Sequence, residues 1–208
     1  MLNDTTTIMD VLKESTAELH ATAERHPVEQ ALLAGTLPRE TYVRHLVQML
    51  CVHRALESHL RAHQGAAPFS AILREHQYQE PYLVEDLHFF GVDPDTVVPS
   101  GAVGQLVDEI HETAARHPVA LLGYHYVLEG STNGSRFIAK AIRAAYRLDG
   151  DGTRYLDPYG DKQREYWQDF RQSMSGVDFN EADVQHVVAA AKGMFAGLIA
   201  VFDDLSPA

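Results

Sequence analysis

The chain has 208 residues, 45% hydrophobic and 22% charged, and its 29 acidic and 17 basic residues give a formal charge of −12. This length suits one domain with a cofactor-sized core, whereas the acidic balance argues against nucleic acid, because phosphate binding needs a basic surface. The single cysteine, Cys51, excludes an internal disulfide framework, and no apolar run approaches the roughly 20 residues of a membrane span. We therefore expect one cytoplasmic, monomeric domain over residues 1–208, without a membrane span.

Apolar residues recur at helical spacing almost throughout the chain, and no convincing segment alternates as a strand would. The predicted fold class is all-α, a multihelical bundle of about seven to nine helices. A polar loop covers residues 149–161. In chain order, the predicted helices are about Thr6–Arg25, Glu40–His63, Ile72–Gln77, Tyr82–Phe90, Ala102–Arg116, Val119–Leu148, Lys162–Met174 and Asn180–Leu205.

The first predicted helix carries a histidine at the border of its inner face, between a lysine and a glutamate. Lys13 and His20 lie two turns apart on one side, roughly 10 Å along the axis, and Glu24 follows one turn later. This pattern suits a flat iron cofactor with acidic tails. The imidazole would bind iron, the carboxylate would orient the imidazole, and the lysine would pair with a tail. A hydrogen-bonded core histidine is the alternative interpretation.

The longest apolar tract, Val119–Leu148, contains the sequence Gly130-Ser-Thr-Asn-Gly134 at its centre. Two glycines inside a helix cost about 2 kcal/mol in helix propensity. Two explanations are open at this point. The helix either kinks where a ligand approaches its backbone, or it crosses another helix closely.

Four segments, taken in order and spacing, are similar to the biliverdin-producing heme oxygenases, most closely the compact bacterial type. Two of them resemble the family's proximal helix, with its axial histidine followed by an Ala-Glu pair, and its kinked distal helix. The other two resemble the helix that offers an arginine to a heme propionate and the closing helix. The four segments are Leu12–Glu24, Tyr126–Gly134, Tyr166–Met174 and Ala191–Leu205. The resemblance implies a heme-oxygenase-like bundle over nearly the whole chain.

The resemblance assigns roles on the proximal side residue by residue. His20 would be the ligand of the heme iron, and Glu24 would hydrogen-bond to it from behind. Lys13 and Arg171 would meet the propionates, and arginine can bind such a carboxylate through two hydrogen bonds. Phe195 would pack beside the heme.

On the distal side, Gly130 and Gly134 would let the backbone approach the ring and leave space for oxygen. The chain departs from the better-known branch of the family at the next position, where Ser131 replaces an aspartate that organises water. Serine holds water but supplies no charge, so other groups would have to contribute. The candidates are Thr132, Asn133, His125 and His53.

The implied reaction uses heme as both cofactor and substrate. Oxygen and external electrons open the ring to biliverdin, releasing carbon monoxide and ferrous iron. The chain contains no flavin or nicotinamide fingerprint, so an acidic redox partner such as a ferredoxin or flavodoxin would deliver the electrons. Its predicted docking site is a basic stripe at helical spacing, for which a solvated helix face is the alternative: Arg136, Lys140, Arg143 and Arg147.

Three other functions compete with this interpretation. A heme-binding or heme-sensing protein of the same fold would bind without cleaving, and Ser131 favours it. A nonheme di-iron oxidase would use His53, Glu57 and Glu129, an incomplete ligand set. A thiaminase-like enzyme would need a nucleophilic cysteine, for which Cys51 is the one candidate.

Overall fold

A computed structural model describes residues 6–206, which form nine α-helices and no strand. Short 3₁₀ turns lie at Glu75–Gln77, Pro94–Thr96, Pro118–Ala120 and Gly160–Lys162. The all-α prediction is confirmed. The helices are α1 (Ile8–Glu24), α2 (Pro27–Leu33), α3 (Arg39–His63), α4 (Phe69–Ile72), α5 (Glu80–Phe89), α6 (Gly101–Arg116), α7 (Leu121–Tyr146), α8 (Gln163–Ser175) and α9 (Glu181–Leu205).

Two sequence predictions of helices were wrong. The sequence predicts no helix over residues 27–33, since Pro27 follows the first predicted helix and a proline commonly marks a helix end. The structure instead has Pro27 at the first turn of α2, where proline loses no hydrogen bond, and His26 caps the turn by accepting from the Val28 N–H. The predicted helix Ile72–Gln77 is broken after Ile72, because Leu73 and Arg74 are extended.

The core of the bundle is formed where α7 and α1 pack against α9, with α3 and α6 completing it. A single glycine brings α7 and α9 together. A Cβ on Gly123 would overlap the backbone carbonyl oxygen of Val187 and lie 2.9 Å from the Ala191 nitrogen. Backbone-to-backbone contact therefore requires glycine at this position. The close helix crossing lies here, seven residues before Gly130.

Within residues 6–206, α9 is the one helix long and apolar enough to cross a membrane by length and composition. A core helix of a bundle has the same composition. In this structure α9 packs against α1, α6 and α7, and Val187, Ala191, Met194 and Val201 are fully buried.

Candidate functional site

A cavity of about 400 Å³ opens between α1, α2, α3, α7 and α9, and the loop after α7 closes part of it. Its size lies within the range of cofactor and small-molecule sites. The lining is mostly apolar with a few polar groups. It includes six of the predicted site residues: His20, Glu24, Gly130, Ser131, Gly134 and Phe195.

His20 stands on the α1 wall of the cavity with its imidazole half exposed to it. The carboxylate of Glu24, one turn along the helix, lies 3.4 Å from His20 Nδ1. The Phe195 ring meets the imidazole edge-on, with 5.6 Å between ring centroids. Glu24 therefore favours the tautomer with hydrogen on Nδ1, which leaves the Nε2 lone pair for a metal.

The α7 wall presents the backbone of Gly130 and Gly134 to the cavity, among side chains such as those of Leu128 and Ile138. A Cβ added to Gly134 would meet nothing within 4 Å, and one on Gly130 would make an ordinary 3.5 Å contact with Trp167. Neither glycine lies at a helix crossing, so the packing explanation fails for both. The space beside Gly134 belongs to the cavity, which is the arrangement expected for close approach by a ligand.

The polar residues between these glycines bond to their own helix. Ser131 Oγ donates to the Leu128 carbonyl at 2.7 Å, and Thr132 Oγ1 donates to the Glu129 carbonyl at 2.7 Å. Asn133 donates to the Gly130 carbonyl at 2.9 Å. The hydroxyl hydrogen of Ser131 is therefore committed, and Ser131 meets the cavity as a hydrogen-bond acceptor.

A second imidazole, His53 of α3, lines the cavity together with Tyr155 from the loop after α7. His53 Nδ1 lies 2.8 Å from Glu57 Oε1, and Nε2 lies 3.2 Å from the Tyr155 hydroxyl. Because Glu57 also accepts the N–H groups of Gln79 and Glu80, it is a carboxylate, and we assign the His53 hydrogen to Nδ1. Nε2 then accepts from Tyr155.

The loop that carries Tyr155 is held by a buried aspartate of α5. Asp86 accepts the N–H groups of Arg154 and Tyr155 at 2.8 and 2.9 Å. Burial raises the pKa of Asp86 to about 6, although these two hydrogen bonds oppose the shift. One carboxylate thus positions a cavity wall that lacks regular secondary structure.

A second buried carboxylate, Glu129, lies just before the first glycine of the distal helix. The Tyr159 hydroxyl donates to Glu129 Oε2 at 2.7 Å and accepts from Gln79 Nε2 at 2.8 Å. Glu129 Oε1 is buried without a partner among the described residues, and burial raises the pKa of Glu129 to about 7. Gln79 lines the cavity, so this network reaches it.

The two predicted propionate partners lie on the surface at one end of the cavity, and neither lines it. Lys13 and Arg171 are both exposed, and both act on the carboxylate of Asp10. Arg171 also acts on Tyr126, a cavity residue. The structure therefore places both cations in one neighbourhood, at the end of the cavity marked by Tyr126.

His125, predicted as a candidate group on the distal side of the cofactor, is not among the residues that line the cavity. It is buried behind the wall, 3.3 Å from Gln77 Oε1, with its ring edge-on to Phe170. Burial lowers the pKa of His125 to about 3, so the imidazole is neutral. On a helix, a residue five positions before Gly130 faces away from it, which explains the placement.

The competing metal and thiol functions lack their sites. Within residues 6–206, no group of three or more His, Cys, Asp or Glu side chains could hold a metal ion. Glu57 and Glu129 are engaged by backbone N–H groups and by Tyr159. Cys51 is half-buried outside the cavity, and burial raises the pKa of its thiol, which disfavours the nucleophilic thiolate.

Three further residues line the cavity but were not predicted from the sequence: Glu29, His45 and Tyr155. Glu29 lies on the helix α2 that was not predicted. His45 is buried on α3 among mostly apolar residues, and Tyr155 lies in a loop without periodicity. The one sequence signal that could have indicated these residues was His45, a histidine on an otherwise apolar face of a helix.

The residues present fit heme. A half-exposed imidazole with a carboxylate behind it faces a wall that offers space for a flat ring, and two cations lie at one end. Most of the lining is apolar, as the hydrocarbon surface of a porphyrin requires. Lys13 and Arg171 would hold its carboxylates, and His20 would hold its iron.

Comparison with known proteins agrees with this geometry. Heme oxygenase of Rhodella violacea is 24% identical over 99% of this chain and 89% of its own length. That of Pyropia yezoensis is 25% identical over 96% and 86%. The solved heme oxygenase of Leptospira interrogans superposes with a TM-score of 0.87 at 25% identity, covering 96% of this chain and all of its own.

Heme oxygenase-1 of Synechocystis sp., solved in complex with heme, superposes with a TM-score of 0.89 at 23% identity, covering 97% of this chain and 93% of its own. This likeness shows that the fold is shared. The heme oxygenase family itself matches residues 6–204, nearly the whole chain, including every wall of the cavity. The chain therefore belongs to the heme oxygenase family, and it is an oxygenase of that class.

Proposed function

We propose that the protein binds heme through His20 and cleaves it oxidatively to biliverdin, carbon monoxide and ferrous iron, using oxygen and external electrons. One observation carries the proposal. His20, held by Glu24, faces a helix wall whose central glycine, Gly134, leaves space that no other described group fills. Heme would supply redox-active iron and the ring carbon that is oxidised, and the protein would orient the heme, exclude water and deliver protons.

The apolar lining would exclude water from the ring, and the walls would set its position. Phe195 supports the imidazole of His20, and the backbone at Gly130 and Gly134 would limit what else can bind beside the ring. Lys13 and Arg171 would orient the ring, because they would bind the edge that carries its carboxylates at the end of the cavity marked by Tyr126.

We assign proton delivery to α3 and its loop partner rather than to Ser131. Ser131 donates to a backbone carbonyl, so it offers no hydrogen to the cavity. Tyr155 and His53 both line the cavity and are hydrogen-bonded to each other, and Glu57 would stabilise the imidazolium that forms if His53 takes up a proton. The pair can therefore store a proton and return it through Tyr155.

Electrons would arrive across the outer face of α7. Lys140 and Arg147 are exposed there, and Phe137 exposes 66% of its surface beside them. Arg136 is half-buried, and Arg143 turns to Thr153 and Asp157. An exposed aromatic ring flanked by cations suits an acidic ferredoxin or flavodoxin.

The docking proposal is tested by reversing Lys140 and Arg147 to Glu. Ferredoxin-driven turnover should fall steeply at low salt, while turnover with ascorbate should stay unchanged. The matched control reverses Arg116 and Lys192, exposed cations on other helices. An equal loss of turnover with both reductants, or an equal loss in the control variant, would contradict the proposed docking site.

The main test is an optical titration of the purified protein with hemin, followed by ascorbate in air with catalase present. A saturable one-to-one Soret band that decays into a biliverdin spectrum supports the proposal, since catalase removes free peroxide as a cause. In His20→Ala, the Soret band of bound hemin should lie at a different wavelength from that of the wild type. Binding without decay, also with a ferredoxin system, would identify a heme carrier or sensor. No saturable Soret change would reject heme binding.

A further inference from the structure

The two ends of the cavity differ in chemistry. At one end are Tyr126 and Trp167, with Arg171 close by. We call the other the far end, and its residues are Glu29, Leu32, His45, Ile138 and Phe202. Along α7 the two ends are marked by Tyr126 and Ile138, about 18 Å apart at 1.5 Å per residue.

The position of the far end is fixed by how α2 packs. A Cβ on Gly35, just after α2, would lie 2.9 Å from the Ala141 carbonyl oxygen of α7, so α2 lies against the later half of that helix. His26, which caps α2, lies 5.4 Å from the Phe202 ring, and His45 lies 5.9 Å from the same ring. Glu29 and His45 therefore belong to one end, opposite the cations.

Glu29 and His45 are ionisable groups that both reach the cavity where it is otherwise apolar. Burial, with a further contribution from Glu24, raises the pKa of Glu29 to about 7, so its carboxyl is partly protonated at neutral pH. Burial lowers the pKa of His45 to about 4, so its imidazole is neutral. His45 Nδ1 is buried without a hydrogen-bond partner in the described chain.

Heme offers no hydrogen-bonding group to Glu29 or His45. With its carboxylates at the cationic end, a heme ring directs methyl and vinyl groups to the far end. Burying unpaired polar groups against hydrocarbon costs stability, so a polar pair is unexpected there. Ring opening changes this chemistry, because the two pyrrole rings at the break each acquire a carbonyl oxygen. A protonated carboxyl and a neutral imidazole can each donate a hydrogen bond to such an oxygen.

We propose that Glu29 and His45 form a recognition site for the two terminal carbonyl oxygens of an open-chain tetrapyrrole. The proposal rests on the function proposed above. It adds that the edge opened is the one facing the far end, and that the product is held there after the iron and carbon monoxide have left. The site thus distinguishes product from substrate by two hydrogen bonds.

The test measures binding of biliverdin and of hemin to the protein in parallel. Trp167 is the one tryptophan of the chain and lines the cavity, so quenching of its fluorescence reports both ligands. Glu29→Met and His45→Leu should each weaken biliverdin binding about tenfold, the value of one hydrogen bond, and change hemin binding less than about threefold. Glu29→Gln keeps a donor and should retain biliverdin binding. Glu14→Met and His88→Leu, exposed positions, are the matched controls.

Infrared spectra of bound biliverdin give a second measurement that misfolding would not imitate. The terminal carbonyl stretch should move to higher wavenumber in Glu29→Met and His45→Leu, because a hydrogen bond is lost. Equal weakening of both ligands, or an unchanged biliverdin affinity and carbonyl stretch, would overturn the site while leaving the proposed function intact. If hemin fails to bind the wild type, the proposed function itself is rejected.

Discussion

Replacing Gly134 by alanine should stabilise the protein and weaken heme binding at the same time. The added Cβ meets no atom within 4 Å, so the folded chain accommodates it freely. Alanine is about 1 kcal/mol better than glycine inside a helix. For a chain of this length, this gain raises Tm by about 2–4 °C. The same methyl group stands in the space that the ring would occupy, and we expect hemin Kd to rise about tenfold, or about 1.4 kcal/mol.

Two other glycines of the bundle provide controls. Gly104 on α6 also has nothing within 4 Å of an added Cβ and lies outside the cavity, so Gly104→Ala should raise Tm equally without changing hemin Kd. Gly123→Ala forces a Cβ onto the Val187 carbonyl and should cost about 3 kcal/mol or more, lowering Tm by about 6–12 °C. Calorimetry of the protein without heme and optical titration measure both quantities. A lower Tm for Gly134→Ala, or an unchanged hemin Kd, would refute this assignment of space.

Three further predictions concern the ionisable groups. Glu129→Gln keeps the hydrogen bond from Tyr159 but removes a carboxyl whose pKa is raised to about 7. The stability that protonation of Glu129 gives the wild type is complete below about pH 4.5 and is lost as pH rises through 7. In urea unfolding, the variant should therefore be more stable than the wild type by up to about 3 kcal/mol at pH 8.5 and by little at pH 4.5. Glu24→Gln should leave Tm nearly unchanged, since the pair with His20 is exposed, but should lower the frequency of the iron–histidine stretch in Raman spectra of the heme complex. An unchanged frequency would show that Glu24 does not act on the His20 imidazole. His53→Phe should keep hemin affinity yet slow ascorbate-driven biliverdin formation about a hundredfold, and an unaffected rate would move proton delivery elsewhere.

The proximal side could be predicted from the sequence because its geometry is local. A four-residue spacing fixes the approach of Glu24 to His20 on any helix, and the structure has this pair on the cavity wall. Phe195 contacts His20 from a helix far along the chain, and its role came from resemblance alone. The sequence therefore located the imidazole, but physical reasoning from spacing did not identify the surrounding wall.

The features missed depend on contacts between distant segments. Nothing in the spacing of Gly123 distinguishes it from Gly130, yet one lies at a backbone crossing and the other faces a cavity. Pro27 is compatible with both the end of one helix and the start of the next, and the cap by His26 decides between them. Tyr155 reaches the cavity because Asp86, a residue of α5, holds its backbone.

The crossing at Gly123 also limits how the cavity can change its width. Two helices that touch backbone to backbone at one point can rotate about that point more easily than they can separate there. Gly134 lies 11 residues further along α7, about 16 Å from this pivot. A rotation of about 5° would thus move the wall at Gly134 by about 1.4 Å over that lever arm, while the crossing itself stays closed. Because α2 packs against the later half of α7 at Ala141, such a rotation would change the width over His20 only if α2 moved together with α7.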